Sequence, residues 1–460
     1  MTVTISSRPD APLANVSGAP SITHWLIQRR YGLGGMTLVL ITGMAFSLLW
    51  WPLQGRTGWF VPGDIWATYR GAHFVGWGDL GGVYASNTGL VTFPGITVLL
   101  APVAMLTGSL GLSESFPFPL PHPTAWLFLG PVELLLGASL LVALDALAEQ
   151  FGATPRRRLI LSLVAMVVVW PLVAIWGHPE DGLAMTCALS AVVQVSRGNL
   201  RACGWCFGAA LAFQPLVILV APVLVAVLPS ARQRVLFLVR SALPPITLVL
   251  PGLAQYWHAT VHSLLEQPNY PTLNHPTPLL ALSPLLRSGR AVRTFVTHLT
   301  YEGGRYHLVK SLTSVRPVEV VAAGPGRMVA LVLCCGVGIL VWRRRASISL
   351  PMLAWLLALC LTLRCLLESV MDPFYFVPPL VMIVFCGALG SAGRFAAAGV
   401  VAVAVTVFCE YHLGPWAWYL PLATFMAAGL LVTLPRIPRS SGATTYGFGL
   451  TFGARRRRLG

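Results

Sequence analysis

Four groups of polar side chains interrupt an otherwise apolar chain, and each has residue types suited to chemistry. The first begins at Asp64 and continues through Trp66, Tyr69, Arg70, His73 and Trp77, a carboxylate followed by aromatic rings and a cation. A carboxylate at the mouth of an apolar segment is costly unless paired, hydrated or used, and its chemical use is to accept a proton. The same acid could simply cap a helix over 65–71. Asp79 follows, but it lies beside Gly81-Gly82, where an acid serves a turn. The second group is Trp176-Gly177-His178-Pro179-Glu180-Asp181. His178, Glu180 and Asp181 could bind hydroxyls, a phosphate or a cation, or the two acids could favour the positive end of the next helix. The third lies at 269–278, with His275, and at Gly324-Pro325-Gly326-Arg327. Arg327 would sit beside the free N–H groups of a helix start, which suits a phosphate, although an arginine at a membrane edge can also just snorkel. The fourth joins Arg364 and Glu368 to Met371-Asp372-Pro373-Phe374-Tyr375. Arg364 and Glu368 are four apart, so on a helix they would share a face and could pair with each other.

These groups must be positioned by membrane helices. The 460-residue chain is 56% hydrophobic and 10% charged, with mean hydropathy +0.73, whereas a soluble domain is about 25% charged. The fold class is therefore an all-α polytopic membrane protein. A net charge of +16 would suit nucleic acid if it lay in one patch. Here the cations form short clusters at segment ends, as topology signals do, and no nucleic-acid partner is expected. Nine cysteines fall almost wholly within apolar runs, where they act as small apolar residues. The first 21 residues lack an apolar core and do not read as a signal peptide.

Basic clusters fix the orientation. Arg29-Arg30 precede the span 35–53, and Arg156-Arg157-Arg158 follow the apolar stretches 91–106 and 124–147. If all three stretches crossed, the triple arginine would face outward, against the positive-inside rule. The stretch 91–106 is short and interrupted by Pro94 and Pro102, so it is read as a juxtamembrane or re-entrant helix. Further spans follow at 159–176, 182–195, 202–213, 216–228, 244–257, 328–342, 348–363, 376–389, 395–409 and 416–434. The result is about twelve transmembrane helices with both termini cytoplasmic. The divisions are a cytoplasmic segment 1–34, a catalytic module 35–257 with a first outer loop 54–123, a long outer loop 258–326, C-terminal helices 327–435 and a disordered basic tail 436–460. Of 15 Asp and Glu, 11 then fall outside. Acids barely influence topology, so that crowding points to function on the outer face of a plasma membrane.

The ordered features resemble the GT-C glycosyltransferases, and among them glycosyltransferase family 87, the actinobacterial polyprenol-phosphate-mannose mannosyltransferases. Asp64 falls at that family's first-loop acid, with Tyr69 and Ala72 at its following Tyr and Ala. Gly82-Val83-Tyr84 is similar to its Gly-x-x-Tyr, one residue compressed, and Phe93-Pro94-Gly95 to its Tyr-Pro-Pro. Gly177-His178 stands where the family often has Gly-Gln, and Gln214 where it has a lysine, so a phosphate-seeking cation is missing there. The resemblance covers roughly 31–229. It implies a GT-C-like bundle whose first outer loop carries juxtamembrane helices. It implies transfer of a sugar, mannose by the resemblance, from a polyprenyl phosphate donor to a lipid or glycan acceptor hydroxyl, with inversion. Asp64 would be the catalytic base, with Tyr69, Arg70, Trp66, His178, Glu180, Asp181, His275, Arg327, Arg364 and Glu368 binding substrate. Trp66, Trp77 and Tyr69 would stack on sugar faces, and Arg327, Arg364, His275 and Arg70 would hold the phosphate. Membrane lipids are the other expected partners. No cofactor is obligatory; a divalent cation is allowed. The competing class is a twelve-helix secondary transporter or lipid-carrier flippase, but the two halves show no repeat and only Glu133 lies well inside a span.

Overall fold

The apolar segments fold as helices in a computed structural model, which describes residues 22–436 except 86–89, 115–119, 268, 270, 272–273, 289–291, 303–304, 317–318, 345–347 and 412. Among the described residues the helices are α1 (Ile22–Gln28), α2 (Arg30–Leu53), α3 (Ile65–Gly76), α4 (Gly95–Ser109), α5 (Trp126–Gln150), α6 (Pro155–Ala174), α7 (Pro179–Ser196), α8 (Leu200–Phe213), α9 (Ala221–Val227), α10 (Ala231–Gln255), α11 (Trp257–Val261), α12 (Gly326–Arg344), α13 (Leu350–Leu367), α14 (Val377–Leu389), α15 (Ala392–Phe408) and α16 (Pro415–Thr433). Seven of them, α2, α5, α6, α10, α12, α13 and α16, are long and apolar enough to cross a membrane. The protein is thus a helical, membrane-embedded one. The other five expected spans correspond to α7, α8, α9, α14 and α15, which are shorter or less apolar. Residues 1–21 of the expected cytoplasmic segment 1–34, and the expected basic tail beyond Arg436, lie outside the described residues.

Local signals set the boundaries. Thr154 caps α6 through the Arg157 N–H, with Pro155 at the first helical position. Ser230 and Gln233 form a capping box at the start of α10. That box starts α10 at Ala231, thirteen residues before the expected span at 244, so Arg232 and Arg234, expected to follow the span 216–228 as its inner boundary, lie within the first turn of α10. At the centre lies α14, with every residue from Val377 to Ala388 buried, as expected of a helix apolar all round. It packs on α6, α13, α15 and α16.

The charged end of α6 is built for strength. Arg158 donates to Asp145 at 2.6 Å and to Glu149 at 3.2 Å, and Arg29 pairs with the same Glu149. These ion pairs tie the start of α2 and α6 to the end of α5. A 20-residue helix is about 30 Å long, so the far end of α6, which leads into Gly177 and His178, lies about that distance away.

At that far end α3 and α4 form a separate layer. Ile65, Trp66, Tyr69 and Ala72 of α3 pack against Ile96, Leu100 and Ala104 of α4 and against Trp126 and Leu129 of α5. The start of α4 is held near the end of α8, where Thr92 donates to the Phe213 carbonyl at 3.0 Å. Its other end is held near the start of α5, where the Ser113 N–H donates to Thr124 at 2.9 Å. Both ends of α4 therefore lie at one end of the bundle, consistent with a juxtamembrane helix. The described strands are confined to 275–321 and 370–371. They are β1 (His275–Pro276), β2 (Leu285–Ser288), β3 (Val292–Glu302), β4 (Arg305–Arg316), β5 (Glu319–Val321) and β6 (Val370–Met371). They pair antiparallel as β1–β6, β2–β5 and the hairpin β3–β4. The long loop therefore carries β structure that the sequence reading did not anticipate.

Candidate active site

Asp64 occupies the N-cap position of α3, yet its carboxylate makes no capping hydrogen bond. It faces His178, whose Nε2 lies 3.1 Å from Asp64 Oδ2 while Nδ1 lies 2.7 Å from Glu180 Oε1. With a carboxylate oxygen against each ring nitrogen, only the doubly protonated ring donates to both, because a neutral imidazole would aim a lone pair at one of them. Burial works against the charge, but Glu180 and Asp64 outweigh it and hold the His178 pKa well above the usual histidine value. Burial likewise pushes the Asp64 carboxyl up, and the His178 hydrogen bond and charge overcome that, leaving its pKa below the ordinary value. Asp64 is thus an ionised carboxylate with its side chain 62% exposed, fixed from behind and open in front.

Two glycines make this approach possible. Gly177 has φ +71, and a Cβ there would lie 2.6 Å from the Pro62 Cβ. The turn after α6 therefore lies directly against the residues leading into α3. Gly182 sits on the Gly137 backbone, where a Cβ would overlap the carbonyl, so the first turn of α7 is pressed onto α5. That packing buries Glu180 and Asp181. Asp181 Oδ1 accepts from Gln214 Nε2 at 3.0 Å, so the residue standing in place of the expected lysine is an acid's partner.

The third wall comes from α13 and the residues before α14. The His178 ring stacks on Phe374 with centroids 3.8 Å apart. Asp372, 8% exposed, has its carboxyl pushed up to about 7, mainly by burial. Arg364 is 5% exposed, with its guanidinium carbon 3.8 Å above the Tyr375 ring centre. Among the described residues its Nε and Nη2 have no hydrogen-bond partner. A buried guanidinium with two unused donors is an anion site in waiting.

Comparison of the chain with protein-family models, with curated proteins and with solved structures gave no match. The site therefore has to be read from its own chemistry. Of the residues expected to act, Asp64, His178 and Glu180 are joined directly, and Asp181 and Arg364 lie within electrostatic reach of one another. The expected Arg364–Glu368 pair does not form. The chain leaves the helix at Glu368, which adopts extended geometry, and Arg327 Nε donates to both its oxygens at 3.0 and 2.8 Å. Arg327 is therefore committed to Glu368. His275 lies on β1 opposite Met371, its ring stacked 4.4 Å from Trp418. Trp66 and Tyr69 are buried in the α3–α4 layer and meet edge to face. The Tyr69 hydroxyl is hydrogen-bonded to Thr107, so both rings are taken up in packing the α3–α4 layer rather than offering a stacking face. Arg70 is half-buried beside them, while Trp77 is 77% exposed. Asp79 accepts from the Gly82 N–H at 2.8 Å, a turn role.

Sequence reasoning assigned no role to Asp372, Phe374 or Tyr375, although it singled out their stretch; the proline after Asp372 was the available signal, since it favours the extended backbone that Asp372 adopts just before the helical turn Pro373–Phe376. One atom each of His178, Glu180 and Asp181 lie within 4.8 Å of one another, and Glu180 Oε2 and Asp181 Oδ2 have no hydrogen-bond partner among the described residues. This trio has the donors for a divalent cation, provided His178 gives up a proton.

Proposed function

We propose that the chain is an integral membrane glycosyltransferase that uses a polyprenyl-phosphate sugar as donor. The observation that carries this reading is that an exposed ionised carboxylate, Asp64, and a buried arginine, Arg364, whose Nε and Nη2 are unspent among the described residues, both lie within electrostatic reach of Asp372. Asp64 accepts the proton of the acceptor hydroxyl as its oxygen attacks the anomeric carbon. The bond from that carbon to the phosphate oxygen breaks, with inversion, and the electron pair leaves with the lipid phosphate. Charge grows on that phosphate as the bond breaks, so a fixed guanidinium beside it lowers the barrier more than it stabilises bound donor. The half-buried Tyr375 ring holds Arg364 in place. His178, bridging Asp64 and Glu180, keeps the base aimed and ionised. Within this reading about twelve helices cross a plasma membrane, both termini are cytoplasmic, the site faces outward, and the sugar is mannose. The acceptor is a lipid or glycan hydroxyl.

Transfer of radiolabel from polyprenyl-phosphate mannose to membrane lipid or glycan by the purified protein, lost in Asp64→Asn, is the expected result. No transfer from any polyprenyl-phosphate sugar would refute the reading. A proton-coupled transporter is the second reading, and one residue favours it. Glu133 is wholly buried in α5, and neither carboxylate oxygen has a hydrogen-bond partner among the described residues; intramembrane acids often carry protons. Substrate flux in proteoliposomes that collapses in Glu133→Gln, with no glycosyl transfer, would select it.

A further inference from the structure

The apolar surface of α6 and α15 is not flat. Ile160 and Val164 of α6 face Ala396 and Gly399 of α15 across a groove of about 930 Å³, near the upper end of the roughly 300–1,000 Å³ that ligand pockets occupy. The residues flanking it are exposed and apolar, among them Leu163, Val167, Val400 and Val403. In a membrane-crossing helix such a face meets acyl chains rather than water.

The groove ends at Thr154, Arg156 and Arg157. Three arginines in the first turn of α6 stand at the positive end of the helix dipole, where cations are disfavoured. Arg158 is neutralised by Asp145 and Glu149. Among the described residues the Arg157 guanidinium donates only through Nη1, to the Ala388 carbonyl at 3.1 Å, and meets no carboxylate there. Arg156 is exposed and has no carboxylate partner among the described residues. An apolar channel that opens onto two such cations matches an amphiphile with an acidic head and two hydrocarbon chains.

We propose that this groove binds an anionic diacyl phospholipid, with its phosphate at Arg156 and Arg157 and its chains between α6 and α15. The site is independent of the glycosyl-transfer reading, because it lies at the opposite end of α6 from His178. The lipid would complete the charge balance at the start of α6 and fill the seam between α6 and α15, the helices that flank α14.

The test uses the full-length protein, delipidated in detergent and offered equal amounts of phosphatidylglycerol and phosphatidylcholine, with native mass spectrometry as the readout. Phosphatidylglycerol should be retained in preference by on the order of ten-fold, as two surface arginines allow. Arg156→Gln, which breaks no hydrogen bond or ion pair among the described residues, should cut that preference several-fold, and Arg156→Gln with Arg157→Gln should abolish it. A Cβ at Gly399 meets only Val164 methyls, at 3.7 and 3.8 Å, so Gly399→Leu extends into the groove and should reduce the number of tightly held lipids. Equal retention of the two lipids, or a preference that survives the double substitution, overturns the proposal. So does a dimer that Gly399→Leu dissociates while lipid binding stays the same, since a second copy would then be the occupant.

Discussion

Asparagine at position 64 keeps the size of aspartate and can still accept from His178, but it cannot take up a proton. Asp64→Asn should therefore lower transfer by about 10²–10⁴-fold, the usual contribution of a general base, while donor binding survives. Asp79→Asn should be mild, since Asp79 serves the Gly82 turn; a dead Asp79→Asn beside an active Asp64→Asn would reverse the assignment. The two arginines separate in the same way. Arg364→Gln should weaken donor binding by roughly 1.5–3 kcal/mol, the value of a charged hydrogen bond, with little change in melting temperature. Arg327→Gln should instead destabilise the fold by up to about 3–5 kcal/mol, because it strands Glu368, 1% exposed, without its partner. Titration calorimetry, turnover and a melting curve on each variant distinguish these outcomes, and donor affinity and turnover both equal to the native protein's in Arg364→Gln would remove Arg364 from the site. Asp372 adds a pH dependence. Folding raises its pKa to about 7, so between about pH 4 and 7 the folded state holds a proton that the unfolded chain has released. Its contribution to stability is complete below that window and is lost as pH rises through 7. In the site, that loss places a new negative charge among Asp64, Glu368, His178 and Arg364, while a phosphodiester keeps its single charge. Donor affinity should fall as pH rises through about 7, and Asp372→Asn should flatten that fall; a matching fall in the variant would exclude Asp372 as its cause. The sequence exposed Asp64, His178, Glu180, Asp181 and Arg364 because charge is rare in an apolar chain and must be explained. It did not expose who pairs with whom. Arg327 and Glu368 are 41 positions apart and Asp64 and His178 are 114 apart, and such pairings come only from packing.

Among the helices, the joints matter more than the spans. The turn between α6 and α7 brings His178 to Asp64 only because Gly177 takes a left-handed backbone and presents no side chain to Pro62. A β-branched residue suffers twice there, from φ above zero and from the 2.6 Å approach. Gly177→Val should cost about 1–3 kcal/mol in backbone strain, more with the steric overlap. Because it moves His178 away from Asp64, it should also raise the pKa of the base. A pH–rate profile whose acidic limb shifts upward would register that movement, whereas an unchanged limb with lower stability alone would mean that the turn does not position the base. Helix existence was legible from hydrophobic runs, and α2, α5, α6, α12, α13 and α16 fall close to the expected bounds. Two kinds of element were not. The start of α10 was hidden because Arg232 and Arg234 read as the inner boundary after the span 216–228, while the signal that decides it is the Ser230–Gln233 capping box. The β3–β4 hairpin was hidden because a Pro-rich loop drew attention away from Val292–Glu302 and Arg305–Arg316, β-rich runs separated by Gly303-Gly304, the dipeptide preferred in tight hairpins.

At the scale of the molecule, two charged clusters stand at opposite ends of the bundle and differ in kind. At one end Arg29, Arg158, Asp145 and Glu149 saturate one another across α2, α5 and α6, which is how a structural clamp is made. At the other, Asp64, Arg364 and the second oxygens of Glu180 and Asp181 keep unspent hydrogen-bonding capacity, which is how a site is made. The layer of α3 and α4 decides whether Asp64 belongs to that second end, and this is open to direct measurement. Were α4 a full span, its start and end would lie on opposite faces and every later helix would reverse. Its start is tied to the end of α8 and its end to the start of α5. His73 of α3 reaches Glu114, beyond α4, at 2.9 Å. The Trp59 N–H, just after α2, donates to the Pro121 carbonyl at 2.7 Å. The segments entering and leaving this layer are thus bonded to each other at one face. Single cysteines at Gly63, beside Asp64, and at Ser113, placed in a chain whose native cysteines are replaced, should be labelled by an impermeant thiol reagent from the same side of intact cells or vesicles. A cysteine at Arg201, at the start of α8, should be labelled only from the other side. If Gly63 and Ser113 label from opposite sides, α4 crosses the membrane, the parity of the whole chain is reversed after residue 95, and the base and the arginine could not share a face.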